Sequence, residues 1–243
     1  MKREWFASWF DTSYYHLLYR DRNDQEAHQF IDALLAFLSL PQGKKVLDIA
    51  CGKGRHAIYL QSKGYDVVGL DLSKNSIEAA KNLSQHTASI EFLVHDIRNE
   101  FPVTHADLAL NLFTSFGYFE SDTEHQEVLI NMAGALNNEG VLVLDFLNVD
   151  HVAKHLKQHE QKTIDDVSFS IHRTLDNNQI IKNIQVKDGE DTLVFKEIVR
   201  AFSANDLIQL IENAGLKVMN VFGNYNLTPL SINSERVIII AKK

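Results

Sequence analysis

Short apolar runs alternate with stretches of helical periodicity between Lys45 and Leu147. Val46–Ile49 reads as a buried strand, and 54–63 as a helix that Gly64 closes. Asp66–Leu70 is a second strand running into Asp71, and Ser73 predicts the cap of a helix over Lys74–Leu83. Ile90–Val94 is the third strand, ending at His95-Asp96, and Asp107–Leu112 is the fourth. Across 124–136 the apolar residues Val128, Leu129, Met132 and Leu136 fall on one helix face, and Gly140–Phe146 is the fifth strand. Apolar strands separated by helical patterns predict an α/β fold: a parallel, doubly wound (Rossmann-like) sheet with helices on both faces.

After Thr163 the period drops to two. Val167, Phe169 and Ile171 precede the turn letters Asp176-Asn177-Asn178; Ile180, Ile184 and Val186 precede Asp188-Gly189-Glu190-Asp191; Leu193, Phe195 and Val199 follow. This alternation predicts a three-stranded antiparallel meander, too small to stand alone and leaning on the main sheet. Ser203 and Asp206 resemble a capping box for a helix to Ala214, with Gly215 behind it. Leu216–Val221 and Arg236–Ala241 read as two last strands, joined by a long loop, GNYNLTPLSINSE. The plan is one domain over 1–243. An aromatic helical segment (1–44) precedes a ligand-binding core (45–150), and an antiparallel insertion (160–202) precedes a last helix and strand pair (203–243).

Composition narrows the class. At 243 residues, 45% hydrophobic and 23% charged, the chain is of ordinary globular make-up. A net charge of −8 disfavours a nucleic-acid binder, whose affinity rests on cations neutralising phosphates. No apolar stretch approaches bilayer length, and Asp11 interrupts the apolar letters behind Lys2 and Arg3, against a secretory signal. A single cysteine allows no internal disulfide and fits a reducing, cytoplasmic setting. Cys51 fits the glycine loop as a small apolar residue.

In doubly wound sheets, ligands sit beyond the carboxyl ends of the strands. Strand one supplies Asp48 and the loop Gly52-Lys53-Gly54, strand two Asp71, strand three Asp96, strand four Asn111, and strand five Asp145 with Asn148. Gly52-x-Gly54-x-x-Ala57 satisfies a nucleotide fingerprint that is weak by itself. A carboxylate ending strand two can accept from two ribose hydroxyls, and Asp96 with Ile97 can receive an adenine. Together they describe an adenosine site, for a dinucleotide or for S-adenosylmethionine. More than forty residues precede the fingerprint, and Asp48 would repel a pyrophosphate while suiting a ligand with an amino group.

The same stretches resemble the class I S-adenosylmethionine-dependent methyltransferases. VLDIACGKGRHAIYL is similar to their first motif, GYDVVGLDLS to the second and FLVHDI to the third. NLFTSFGYF resembles the segment after strand four, GVLVLDFLN strand five, and VIIIAKK the last strand. The resemblance implies a seven-stranded, mostly parallel sheet whose last strand is antiparallel. It implies S-adenosyl-L-methionine as cofactor and S-adenosyl-L-homocysteine as product. It assigns Asp48, Ala50, Gly52 and Gly54 to the methionine part, Asp71 and Leu72 to ribose, and Asp96 and Ile97 to adenine. Asn111 and Phe113 fall along the methyl-donating side, and Arg55 near a carboxylate. Tyr15 and Tyr19 are the expected cofactor-covering members of an aromatic N-terminus that otherwise packs as an amphipathic helix.

Methyl transfer from a sulfonium is a direct displacement, so no metal or catalytic triad is expected. Phe116, Tyr118, Asp145 and Asn148 are the acceptor-site candidates, with the antiparallel insertion, including His172 and Arg173, as a cover. Asn111-Leu-Phe-Thr114 lacks the Pro-Pro-aromatic signature of enzymes acting on amide or base nitrogens, which favours a small-molecule acceptor. His151, His155 and His159 repeat at i, i+4, i+8, a stripe able to bind zinc on a helix, though the interleaved lysines favour a solvated face. The rival readings are an NAD-dependent oxidoreductase and a cofactor-binding regulatory protein without transfer activity.

Overall fold

A computed structural model describes residues 4–20, 24–85 and 89–243; Lys2 and Arg3 lie outside them. Three helices come first, α1 (Trp5–Trp9), α2 (Ser13–Leu18) and α3 (Asp24–Leu38). The alternating region gives β1 (Lys45–Ile49), α4 (Arg55–Ser62), β2 (Asp66–Asp71), α5 (Lys74–Leu83), β3 (Ile90–Val94), β4 (Ala106–Asn111), α6 (Asp122–Ala135) and β5 (Leu136–Leu147). After α7 (Val149–His155) come β6 (His159–Ile164), β7 (Val167–Asp176), β8 (Gln179–Asp188) and β9 (Asp191–Arg200). The remainder is α8 (Ala204–Asn213), β10 (Lys217–Phe222) and β11 (Arg236–Lys242).

Seven strands form the main sheet in the order β10-β11-β5-β4-β1-β2-β3. Only β11 runs antiparallel to its neighbours, β5 and β10. Alternate residues of the buried strands feed opposite layers. Val46, Val67, Leu108 and Val143 meet Phe30, Ile31, Leu34, Leu60 and Ile77 from α3, α4 and α5. Leu47, Ile49, Ala109 and Leu144 meet Val128, Leu129, Met132, Leu207 and Ile211 from α6 and α8. The order reverses between β1 and β4, so their carboxyl ends diverge and leave a crevice.

The insertion has four strands, not three, in the order β6-β7-β8-β9. The extra hairpin turns at Asp165-Asp166, both left-handed (φ 47° and 67°), a turn that carries no glycine to mark it. Trp9 and Leu18 pack with Val167, Phe169, Ile171, Ile184 and Val186, so this sheet is sealed by the N-terminal helices. α6 begins at Asp122, ahead of the expected 124, because Ser121 and Glu124 close a capping box around its first turn. β5 starts at Leu136, before Gly140. The histidine stripe dissolves: α7 ends at His155, whose ring stacks on His151 at 4.2 Å, while His159 opens β6 opposite His172. Among the described residues no helix is long and apolar enough to cross a membrane.

Candidate active site

A cavity of about 720 Å³ occupies the crevice at the carboxyl ends of β1 and β4. The loop leaving β1 is bent by three left-handed residues, Ala50 (φ 60°), Gly52 (φ 56°) and Gly54 (φ 81°). The two glycines answer different needs. A Cβ on Gly52 would meet nothing within 4 Å, so this backbone lies open to the cavity. A Cβ on Gly54 would stand 2.6 Å from the Phe92 ring, so there it is the protein's own packing that excludes a side chain. Gly54 does not line the cavity.

Three strand-end acids do line it. Asp48 is 1% exposed, and among the described residues its Oδ2 has no hydrogen-bond partner. Burial raises its pKa to about 7; the Ala57 N–H opposes this, and the neighbouring Asp71 charge adds to it. Asp71 accepts the Gly52 N–H on Oδ2 and the Ser73 N–H on Oδ1, both at 2.8 Å, which joins the glycine loop to the start of α5. Burial raises the Asp71 pKa against those two donors, and each oxygen keeps a lone pair for a further donor. Burial acts to raise Asp96 as well, but Arg98 overrides it and the pKa falls below the ordinary value. Arg98 grips Asp96 (Nη2 to Oδ2, 2.6 Å) and, with Nη1 and Nη2, both oxygens of Glu4 at 2.8 Å. Leu72 and Ile97 also line the cavity, as does Arg55, whose guanidinium lies 4.6 Å over the Phe113 ring.

The N-terminal helices form the opposite wall. Thr12 caps α2 by accepting the Tyr15 N–H, which sets Tyr15 and, one turn on, Tyr19 side by side with rings 5.0 Å apart. Phe10 continues the wall to Tyr118, at 4.9 Å from Tyr15 and 5.3 Å from Tyr118. The Tyr19 hydroxyl is turned away from the cavity: it donates to Glu197 at 2.8 Å and accepts from Lys182. Trp9 Nε1 donates to the same Glu197 oxygen at 2.7 Å. Asp11 reaches across to Ser73 Oγ at 2.7 Å. The aromatic segment is thus tied to both sheets.

Besides Gly54, four expected site residues lie outside the cavity lining. Phe116 is fully buried against His125 and Phe202, on the core side of its loop. Asn111 is buried and donates to the carbonyl oxygens of Ile49 and Ser115, bracing β1 and β4 at the crevice. Asn148 caps α7 and donates to Ser234 O at 2.8 Å. Asp145 is fully buried behind the cavity wall, paired to Arg236 at 2.8 Å, and its Oδ2 accepts the Phe113 N–H at 2.8 Å and the Tyr225 hydroxyl at 3.2 Å. Burial presses Asp145 towards its protonated form, and the Arg236 charge and those donors oppose it. Burial acts against the Arg236 cation too, and the Asp145 charge and hydrogen bond together with Tyr225 and Glu26 outweigh it. His172 and Arg173 do not line the cavity, and Arg173 pairs with Glu160 at 2.6 Å. Sequence reasoning missed His16 and His56 in the lining, and it left Phe10, which also lines the cavity, among the rings expected to pack as an amphipathic helix. It also missed Arg98, although its position two residues after Asp96 was a signal.

Residues 40–214 match a protein family described as "Methyltransferase domain". The chain belongs to this methyltransferase family. It is an S-adenosylmethionine-dependent methyltransferase of class I fold, and the dinucleotide oxidoreductase reading falls away. The methyltransferase is 26% identical over 213 residues to a Bacillus subtilis (strain 168) protein named as a methyltransferase, YqeM, covering 84% of this chain and 86% of that one. A glycine/sarcosine N-methyltransferase of Parasynechococcus marenigrum (strain WH8102) is 31% identical over 129 residues, 50% of this chain and 44% of that one. In structure it is similar to an S-adenosylmethionine-dependent methyltransferase from Clostridium acetobutylicum ATCC 824. The TM-score is 0.81 at 19% identity, covering 94% of this chain and 95% of that one.

Proposed function

We propose that this methyltransferase transfers its methyl group to a small molecule, with amine acceptors the first class to try. One observation carries the reading. The strand-end acids and the Phe10–Tyr15–Tyr19 wall line the same roofed cavity, which is of small-ligand size. The acceptor class draws on the partial match to a glycine/sarcosine N-methyltransferase.

The donors and acceptors present fit S-adenosylmethionine. The unpartnered Asp48 Oδ2 suits an ammonium, and the open Gly52 backbone leaves room for the amino-acid tail with Ala50 beside it. The outer lone pairs of Asp71 suit ribose hydroxyls beside Leu72, and Asp96 with Ile97 suits adenine. When bound, the cofactor supplies a methyl already activated on a sulfonium. The chain's own work is then to hold, orient and dry the site. Tyr15 and Tyr19 offer ring faces to a cation. Tyr118 and Phe113 bound the acceptor's side, and the N-terminal helices shut out water. Calorimetry with S-adenosylhomocysteine, then an acceptor screen read by its release, tests the proposal. Absence of binding, or turnover confined to polymeric acceptors, would sink it.

A further inference from the structure

Phe113 and Thr114 stand at the carboxyl end of β4 in consecutive left-handed conformations (φ 58° and 60°), though neither is glycine. Such a turn persists only where its surroundings over-determine it. Here they do. Asp145 Oδ2 accepts the Phe113 N–H, and Asp145 O accepts the Thr114 N–H at 3.0 Å. Arg236 lies diagonal to Asp145 across the β5–β11 pair and forks: Nε donates to Asp145 Oδ1 at 2.8 Å, and Nη2 donates to Thr114 Oγ1 at 3.0 Å. Tyr225, from the long loop before β11, bonds Asp145 and lays its ring along Phe113, centroids 5.2 Å apart and planes 30° apart. Phe113 lines the cavity, with Arg55 over its ring; Asp145, Arg236, Tyr225 and Thr114 do not.

We propose that Asp145, Arg236 and Tyr225 are positioning residues, which clamp the Phe113–Thr114 turn so that the Phe113 ring stays in the cavity wall. The proposal rests on the cofactor-site reading above. Without the clamp the turn relaxes, only a fraction of molecules keeps the wall, and apparent ligand affinity falls by that fraction. Arg236→Lys keeps the charge but loses the planar fork that spans Asp145 and Thr114. Tyr225→Phe keeps the ring and loses only the hydroxyl, so it carries the test if Arg236→Lys does not fold.

The test is hydrogen–deuterium exchange on the peptide covering 112–118 and on one covering β1. S-adenosylhomocysteine calorimetry accompanies it at a temperature where each variant is folded. In Arg236→Lys exchange at 113–115 is expected to speed by about tenfold with β1 unchanged, while affinity falls about tenfold. Tyr225→Phe moves both in the same direction by about two- to threefold. Affinity unchanged in a folded variant, or exchange rising alike in both peptides, overturns the proposal, because a merely structural pair lowers stability throughout and leaves the folded site intact. Wild-type protein that binds no S-adenosylhomocysteine overturns the site reading itself, a different result from a loss confined to the variants.

Discussion

Asp48 carries a charge conflict that an ammonium in the cavity would resolve. Burial, with the Asp71 charge beside it, pushes its carboxyl up to about 7, and an ammonium beside it would favour the ionised form. S-adenosylhomocysteine affinity is therefore expected to fall below pH 7, by at most about tenfold per pH unit. In Asp48→Asn that dependence should flatten, as calorimetry from pH 5.5 to 8.5 would show. Stability runs the other way. The folded protein holds this proton more tightly than the unfolded chain, so Asp48 costs stability as pH rises from 3.8 to about 7, up to about 4 kcal/mol. Asp48→Asn should then raise the melting temperature at pH 8 while it weakens binding. The two glycines should also separate. Gly54→Ala forces a methyl into Phe92 and is expected to cost about 1–3 kcal/mol of stability. Gly52→Ala meets no atom, so thermal denaturation should show the smaller loss and calorimetry the larger loss of affinity. Asp71→Ala is expected to weaken the ligand by about 1.5–3 kcal/mol. Asp48 and Asp71 were legible as acids ending strands. Asp145 has the same signature, but its partner lies 91 positions on, at Arg236, and nothing local distinguishes it. Phe116 and Tyr118 likewise look alike as letters, and only the loop's winding sends one inward.

Helices and strands meet most consequentially at Glu197. This β9 residue receives Trp9 from the end of α1, Tyr19 from just past α2 and Lys182 from β8, with its side chain 15% exposed and that of Lys182 12%. Glu197→Ala leaves the Lys182 charge buried without its carboxylate and is expected to cost about 3–5 kcal/mol. The loss should concentrate in the N-terminal helices, as faster exchange at 5–20 than in β1. Behind Phe119, which lines the cavity, His125 of α6 is held neutral: Nδ1 meets Ser121 O at 2.8 Å, and Nε2 accepts the Phe119 N–H at 3.3 Å. Burial lowers its pKa below 6.5, so protons favour the unfolded chain. Its contribution is complete above pH 6.5 and is lost as pH falls through the folded-state value. The melting-temperature gap between wild type and His125→Gln should narrow accordingly between pH 7 and 5. The parallel strands and their helices were readable because each buries one apolar stripe. β6 was not, because two aspartates turn its hairpin where glycine or asparagine would have signalled it.

Across the whole molecule, the cavity is assembled from segments far apart in the chain. Its floor comes from β1, β2 and β3, its near wall from the turn after β4, and its roof from helices that precede them all. Alternation, glycine spacing and strand-end acids sufficed to place the floor, since each is a local rule. The roof and the brace were not local: they depend on long-range pairs, Trp9 with Glu197 and Asp145 with Arg236. The reversed direction of β11 is what returns the chain to this edge, for a parallel last strand would begin at the opposite rim. A ribosome making this protein must therefore translate past Arg236 before the brace behind Phe113 exists. Nascent chains stopped short of that point should emerge with the cavity floor laid and one wall unsupported, a state for chaperones or proteases to meet before any substrate does.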